Sequence, residues 1–89
     1  MIQYELKIIN QLGLHARPAA QIAQTAGNFI STISLTKDSV RVDAKSIMGV
    51  MMLAAEHGSV LQLTAEGPDE KEAAEAIKAL FENKFDEEF

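Results

Sequence analysis

His15 is the residue of this chain best placed to do chemistry. It follows an alternating segment and a glycine-containing loop, and it stands immediately before a helical pattern that opens with Pro18. The first turn of a helix leaves backbone N–H groups without partners and carries the positive end of the helix dipole, so it is a ready site for an anion. Arg17 adds a permanent cation with donors suited to phosphate oxygens. Imidazole is a nucleophile near neutral pH. The three together can accept, hold and release a phosphoryl group. Spacing alone leaves a plainer role open, in which His15 is only a polar cap of the helix.

Ser46 is the second candidate, before the run Ile47-Met48-Gly49-Val50-Met51-Met52. Its plain reading is an N-cap. Yet so short a helix cannot turn Ile47, Met48, Met51 and Met52 all into one core. Some must face solvent, where methionine makes a soft surface that adapts to several partners. The other histidine, His57, reads as a loop or surface residue. The acidic end, Asp86-Glu87-Glu88-Phe89, reads as a frayed, solvated tail. No acidic residue sits beside His15 in the chain to form an acid–base pair, and the two histidines have no metal-ligand spacing. No metal and no cofactor is expected. Walker, Gly-x-Ser-x-Gly and dinucleotide fingerprints are missing from the sequence, which argues against kinase, hydrolase and oxidoreductase readings.

The elements that must position these residues follow from periodicity. Ile2, Tyr4, Leu6 and Ile8 alternate with polar residues and predict a strand. A helix is predicted from Ala16 to Gly27-Asn28, with Ala20, Ala23, Ala26 or Gly27, and Ile30 as its apolar stripe. Ile33 and Leu35, then Val40, Val42 and Ala44, predict a hairpin turning at Lys37-Asp38-Ser39. A short helix spans Ile47–Leu53, and Val60–Glu66 is a fourth strand. Asp69 with Glu72 resembles a capping box opening a last helix, whose stripe is Ala73, Ala76, Ile77, Leu80 and Phe81. The fold class is α+β, in the order βαββαβα, with helices on one side of an antiparallel sheet.

Composition bounds the answer. The 89 residues suit a single domain, 1–89, and 47% hydrophobic content is that of a globular chain rather than a disordered one. There is no cysteine, so no disulfide and no thiol nucleophile. The net charge of −5 argues against nucleic acid as a partner. No apolar run approaches a membrane span, and the first residues lack a signal-peptide pattern, so a cytoplasmic protein is expected.

The segment Gly13-Leu14-His15-Ala16-Arg17-Pro18-Ala19 resembles the phosphorylation-site motif of the histidine-containing phosphocarrier (HPr) proteins of the bacterial phosphotransferase system. Lys45-Ser46-Ile47-Met48-Gly49 resembles the regulatory serine site of the same family. The resemblance extends along the whole chain. It implies an open-faced β-sandwich, a four-stranded antiparallel sheet of order 1-4-2-3 covered by three helices. It implies phosphorylation of His15 on Nδ1 by Enzyme I, with phosphoenolpyruvate as ultimate donor, and onward transfer to Enzyme IIA domains. Arg17 would assist, and Ser46 would be the target of an ATP-dependent HPr kinase/phosphorylase. Ala16, Ala20, Gln24, Ile47, Met48 and Met51 would form the partner surface of a monomer that is a phosphocarrier and not an enzyme. The ending, from Ala79 to Glu88, is more similar to the nitrogen-related branch, and Gln24 and Gly27 stand where sugar-branch relatives often carry lysine. A purely regulatory protein-binding module, with a transcriptional regulator among its partners, is the alternative. An RNA- or metabolite-binding domain is a third reading, disfavoured by charge and by an aromatic content of 6%.

Overall fold

A computed structural model describes residues 1–88. The elements run β1 (Ile2–Lys7), α1 (Ala16–Ala26), β2 (Thr32–Lys37), β3 (Val40–Asp43), α2 (Ile47–Met52), β4 (Val60–Glu66) and α3 (Glu70–Glu82), followed by a short left-handed turn at Lys84–Asp86. The four strands form one antiparallel sheet ordered β1-β4-β2-β3. This is the expected HPr-like arrangement, with three helices on one face.

Strand alternation decides which face the helices cover. Tyr4 pairs with Leu63, Leu63 with Leu35, and Leu35 with Val42, so one row of apolar side chains crosses the sheet. The neighbouring row, Glu5, Gln62, Thr36 and Arg41, points the other way and stays wet. Ile33, Leu35, Leu61, Leu63 and Ala65 are buried under Ala19, Ile22 and Ala26 of α1, Val50 of α2 and Ala73, Ile77 and Phe81 of α3. The β2–β3 connection is a two-residue turn in which Asp38 and Ser39 both take positive φ, the geometry that matches the twist of a hairpin.

Three expectations need correction. The apolar stripe of α1 is Pro18, Ala19, Ile22, Ala23 and Ala26, while Ala20 is half-buried and Ile30 lies beyond the helix and is exposed. Ile22 lies one turn from Ala19 and from Ala26, and this larger side chain fixes which face turns inward. No capping box forms at α3. Asp69 instead accepts hydrogen bonds from Ile30 N, Ser31 N and Ser31 Oγ at the start of β2, and Glu70 accepts from Gly67 N. Finally, the tail is ordered up to Glu87 and not frayed, although Asp86 and Glu88 are exposed as expected; Phe89 lies outside the described residues. Phe85 is buried and meets Phe81 edge-on, with ring centroids 5.0 Å apart.

Candidate functional site

The backbone of His15 is the N-cap of α1, and its carbonyl accepts from Ala19 N at 3.0 Å. Its side chain makes no cap hydrogen bond, so the imidazole is not a polar cap. Ala16 and Arg17 therefore present the free N–H groups of the first turn, and Pro18 has none to offer. The loop before His15 is held by Leu14 N, which donates to Ala55 O at 2.9 Å. Gly13 sits at φ +69°, and a Cβ there would lie 2.5 Å from that same carbonyl, so only glycine fits.

The ring of His15 meets a partner from the far end of the chain. Its Nε2 lies 2.6 Å from Oε2 of Glu87, and Arg17 Nη1 donates to the same oxygen at 3.2 Å. The other oxygen, Oε1, accepts from Nδ2 of Asn10 at 2.9 Å. Asn10 is fully buried and its amide also donates to Gly13 O at 2.8 Å. Glu87 is 12% exposed, against 35% for His15 and 52% for Arg17. Burial alone would push the Glu87 carboxyl up, but hydrogen bonds from Asn10, His15 and Arg17, with the charge of a protonated His15, outweigh it and hold the carboxyl below its ordinary range.

This arrangement overturns the expectation that His15 has no acidic neighbour. The chain supplies one across 72 positions. Asn10 and Glu87 are the two polar members of this corner that sequence reasoning missed. One signal was available: a phenylalanine among polar residues, Phe85, marks a tail with something to anchor. Gln21 completes the anchoring by donating to Phe85 O at 3.2 Å.

Ser46 is the N-cap of α2, its Oγ accepting from Gly49 N at 3.0 Å. Beyond it, Ile47, Met48, Met51 and Met52 are exposed, Met48 at 72%, while Val50 alone of α2 is buried. The helix packs against α1, whose outer residues Ala16 and Gln24 are exposed and Ala20 half-exposed. His57 is exposed in the turn between α2 and β4. No helix among the described residues is long and apolar enough to cross a membrane.

An imidazole at a helix N-terminus with an arginine beside it can hold an anion. Residues 2–83 match the family described as "PTS HPr component phosphorylation site". The chain belongs to the HPr family. An HPr phosphocarrier of Cupriavidus necator is 54% identical over 87 residues, covering 98% of each chain. An NPr phosphocarrier of Proteus mirabilis is 44% identical, covering 99% of this chain and all of the relative. Among solved structures, HPr of Thermoanaerobacter tengcongensis superposes with a TM-score of 0.96 at 50% identity, over the full length of both chains. The family model's match ends at residue 83, before Glu87, while these relatives align over 98% or more of the chain.

Proposed function

We propose that this protein relays a phosphoryl group from phosphoenolpyruvate, through Enzyme I, to Enzyme IIA domains, with His15 as the carrier. One observation carries the reading: the His15 ring stands free of any capping role at the N-terminus of α1, beside Arg17. The free N–H groups of Ala16 and Arg17 and the guanidinium suit phosphoryl oxygens. The partners supply the rest of the reaction centre, so the protein is itself the substrate and not a catalyst. It works as a cytoplasmic monomer, and the exposed faces of Ile47, Met48 and Met51, with Ala16, Ala20 and Gln24 of α1, dock donor and acceptor alike. Greater identity to the HPr relative than to the NPr relative favours transport-coupled relay over a purely regulatory output.

The test is labelling by Enzyme I and phosphoenolpyruvate. His15→Ala should take no acid-labile phosphate, and His57→Ala should take as much as wild type. Label retained by His15→Ala overturns the reading. Regulation at Ser46 is part of the same proposal. An ATP-dependent HPr kinase/phosphorylase would add about −1.5 to −2 charge at the start of α2, within the docking face, and a transcriptional regulator would be the reader of that form.

A further inference from the structure

A neutral imidazole has one N–H and one lone pair, and what each nitrogen meets decides which holds the proton. A carboxylate can only accept. Glu87 Oε2 lies 2.6 Å from Nε2, while Nδ1 has no hydrogen-bond partner among the described residues. We infer that Glu87 is a positioning residue for phosphoryl transfer: braced by Asn10, it fixes His15 with the proton on Nε2 and so presents Nδ1 as the nucleophile. This rests on the phosphocarrier reading and adds to it a residue at the far end of the chain.

The carboxylate is built to stay. Asn10 is fully buried, and both hydrogens of its amide are spoken for, one by Gly13 O and one by Glu87 Oε1. The tail reaches it through a left-handed turn in which Lys84, Phe85 and Asp86 have φ of +53°, +54° and +61°. Such backbone is costly for a non-glycine residue, and it persists only where the surroundings fix it. Here they do, through the buried ring of Phe85 and the bond from Gln21. Two anchors, Phe85 just before Glu87 and the Asn10 amide on its carboxylate, hold that carboxylate against Nε2.

In the transfer, the Nδ1 lone pair attacks the phosphorus of a phosphohistidine on the donor protein. The Nδ1–P bond forms as the donor's N–P bond breaks, and that bonding pair stays on the donor imidazole. No proton leaves His15. The Nε2–H remains bonded to Glu87, which faces the positive charge that the ring acquires. Without the carboxylate, part of the population would carry its proton on Nδ1, where attack is blocked.

Nitrogen-15 and proton NMR of the full chain, at a pH where the ring is neutral, tests the assignment directly. Wild type should show Nε2 as proton-bearing, Nδ1 as lone-pair-bearing, and a downfield Nε2–H resonance protected from exchange. In Glu87→Ala the two nitrogen shifts should move towards each other and the downfield proton should be lost. Enzyme I-dependent phosphorylation should fall about tenfold in kcat, the scale of a mispositioned reacting group, with KM unchanged. Glu87→Gln keeps an acceptor but adds a donor, and should fall between the two. Unchanged ring shifts in Glu87→Ala, or transfer as fast as or faster than wild type, overturns the role of Glu87. A wild type that takes no label overturns the phosphocarrier reading instead.

Discussion

The corner around His15 and the outer face of α2 are built on opposite plans. The corner gathers Asn10, Gly13, His15, Arg17 and Glu87 from both ends of the chain, and hydrogen bonds tie their polar groups together. The α2 face is one continuous stretch, Ile47 to Met52, with Ile47, Met48, Met51 and Met52 left exposed. A reacting ring gains from being held in one orientation, because misplacement is paid in rate. A surface that must meet several partners gains from unbranched, adaptable side chains and from having no fixed polar geometry of its own. A hydrogen-bonded corner and an exposed apolar face thus sit on adjoining helices.

The largest separation between the two regions should come from Arg17→Ala. Removing a charge-assisted contact to developing phosphoryl charge in this open site should cost about 2 kcal/mol, a factor of about 30 in transfer rate. Affinity for Enzyme I should change little, and the circular dichroism spectra should stay native. Stopped-flow or quench measurement of transfer in both directions checks it, and wild-type rates would remove Arg17 from the chemistry.

Met48→Glu should do the reverse. A charge on a side chain that is 72% exposed should leave the melting temperature within a degree or two of wild type. It should weaken complexes with both Enzyme I and acceptor domains about tenfold, as expected for the centre of a docking patch, with kcat kept. A collapsed melting temperature would make Met48 a packing residue and dissolve the contrast.

The two regions also differ in how legible they were in the sequence. Strand and helix positions and the exposure of the methionines follow from local patterns: period-2 alternation, a Ser46 cap, and too many apolar residues for one short helix. The strand order 1-4-2-3 came only from the family resemblance, because alternation does not say which strands pair. His15 and Arg17 were legible for the same reason, being neighbours at a predicted helix start. Glu87 and Asn10 were not. Their meeting depends on the direction the chain takes after α3, which a left-handed turn of non-glycine residues sets. No propensity scale favours that turn; buried Phe85 fixes it. The α3 cap failed for a related reason. Asp69 found better donors on β2, at Ile30 and Ser31, than its own helix could offer.

A smaller effect is expected at Ser46, which belongs to both fold and surface. Ser46→Ala removes the oxygen that accepts from Gly49 N and should lower stability by about 1 kcal/mol. For a domain of this size that is a drop of about 4–8 °C in Tm. Ser46→Asp keeps an acceptor and places its charge at a helix start, so stability should hold. Its cost should appear as a rise in KM for Enzyme I, smaller than that of Met48→Glu. Calorimetry separates the two substitutions, and equal melting temperatures with equal KM across wild type and both variants would reduce Ser46 to a residue of no consequence.

The smallest expected effect is a pH dependence confined to one region. Glu87 is held below the ordinary glutamate value of 4.5, so its ionised form is the one the folded corner favours. The sign follows from linkage: the closure is fully present above 4.5 and is lost as pH falls through the lowered folded value. Below that point a protonated carboxyl no longer draws Arg17 and His15 together, and Asn10 loses a charge-assisted acceptor. The α2 helix, Ile47–Met52, contains no titratable side chain. An acid titration followed by amide NMR should therefore show Asn10, Gly13 and Arg17 moving together through one transition below 4.5, while the amides of Val50 and Met51 stay still until the fold itself gives way. Glu87→Ala should erase that transition without moving the global acid unfolding midpoint by more than a few tenths of a pH unit, because the tail contact is local and the core beneath it is apolar. A transition that survives in Glu87→Ala would belong to another carboxylate, and one shared by α2 would mean that the two regions respond as a single unit.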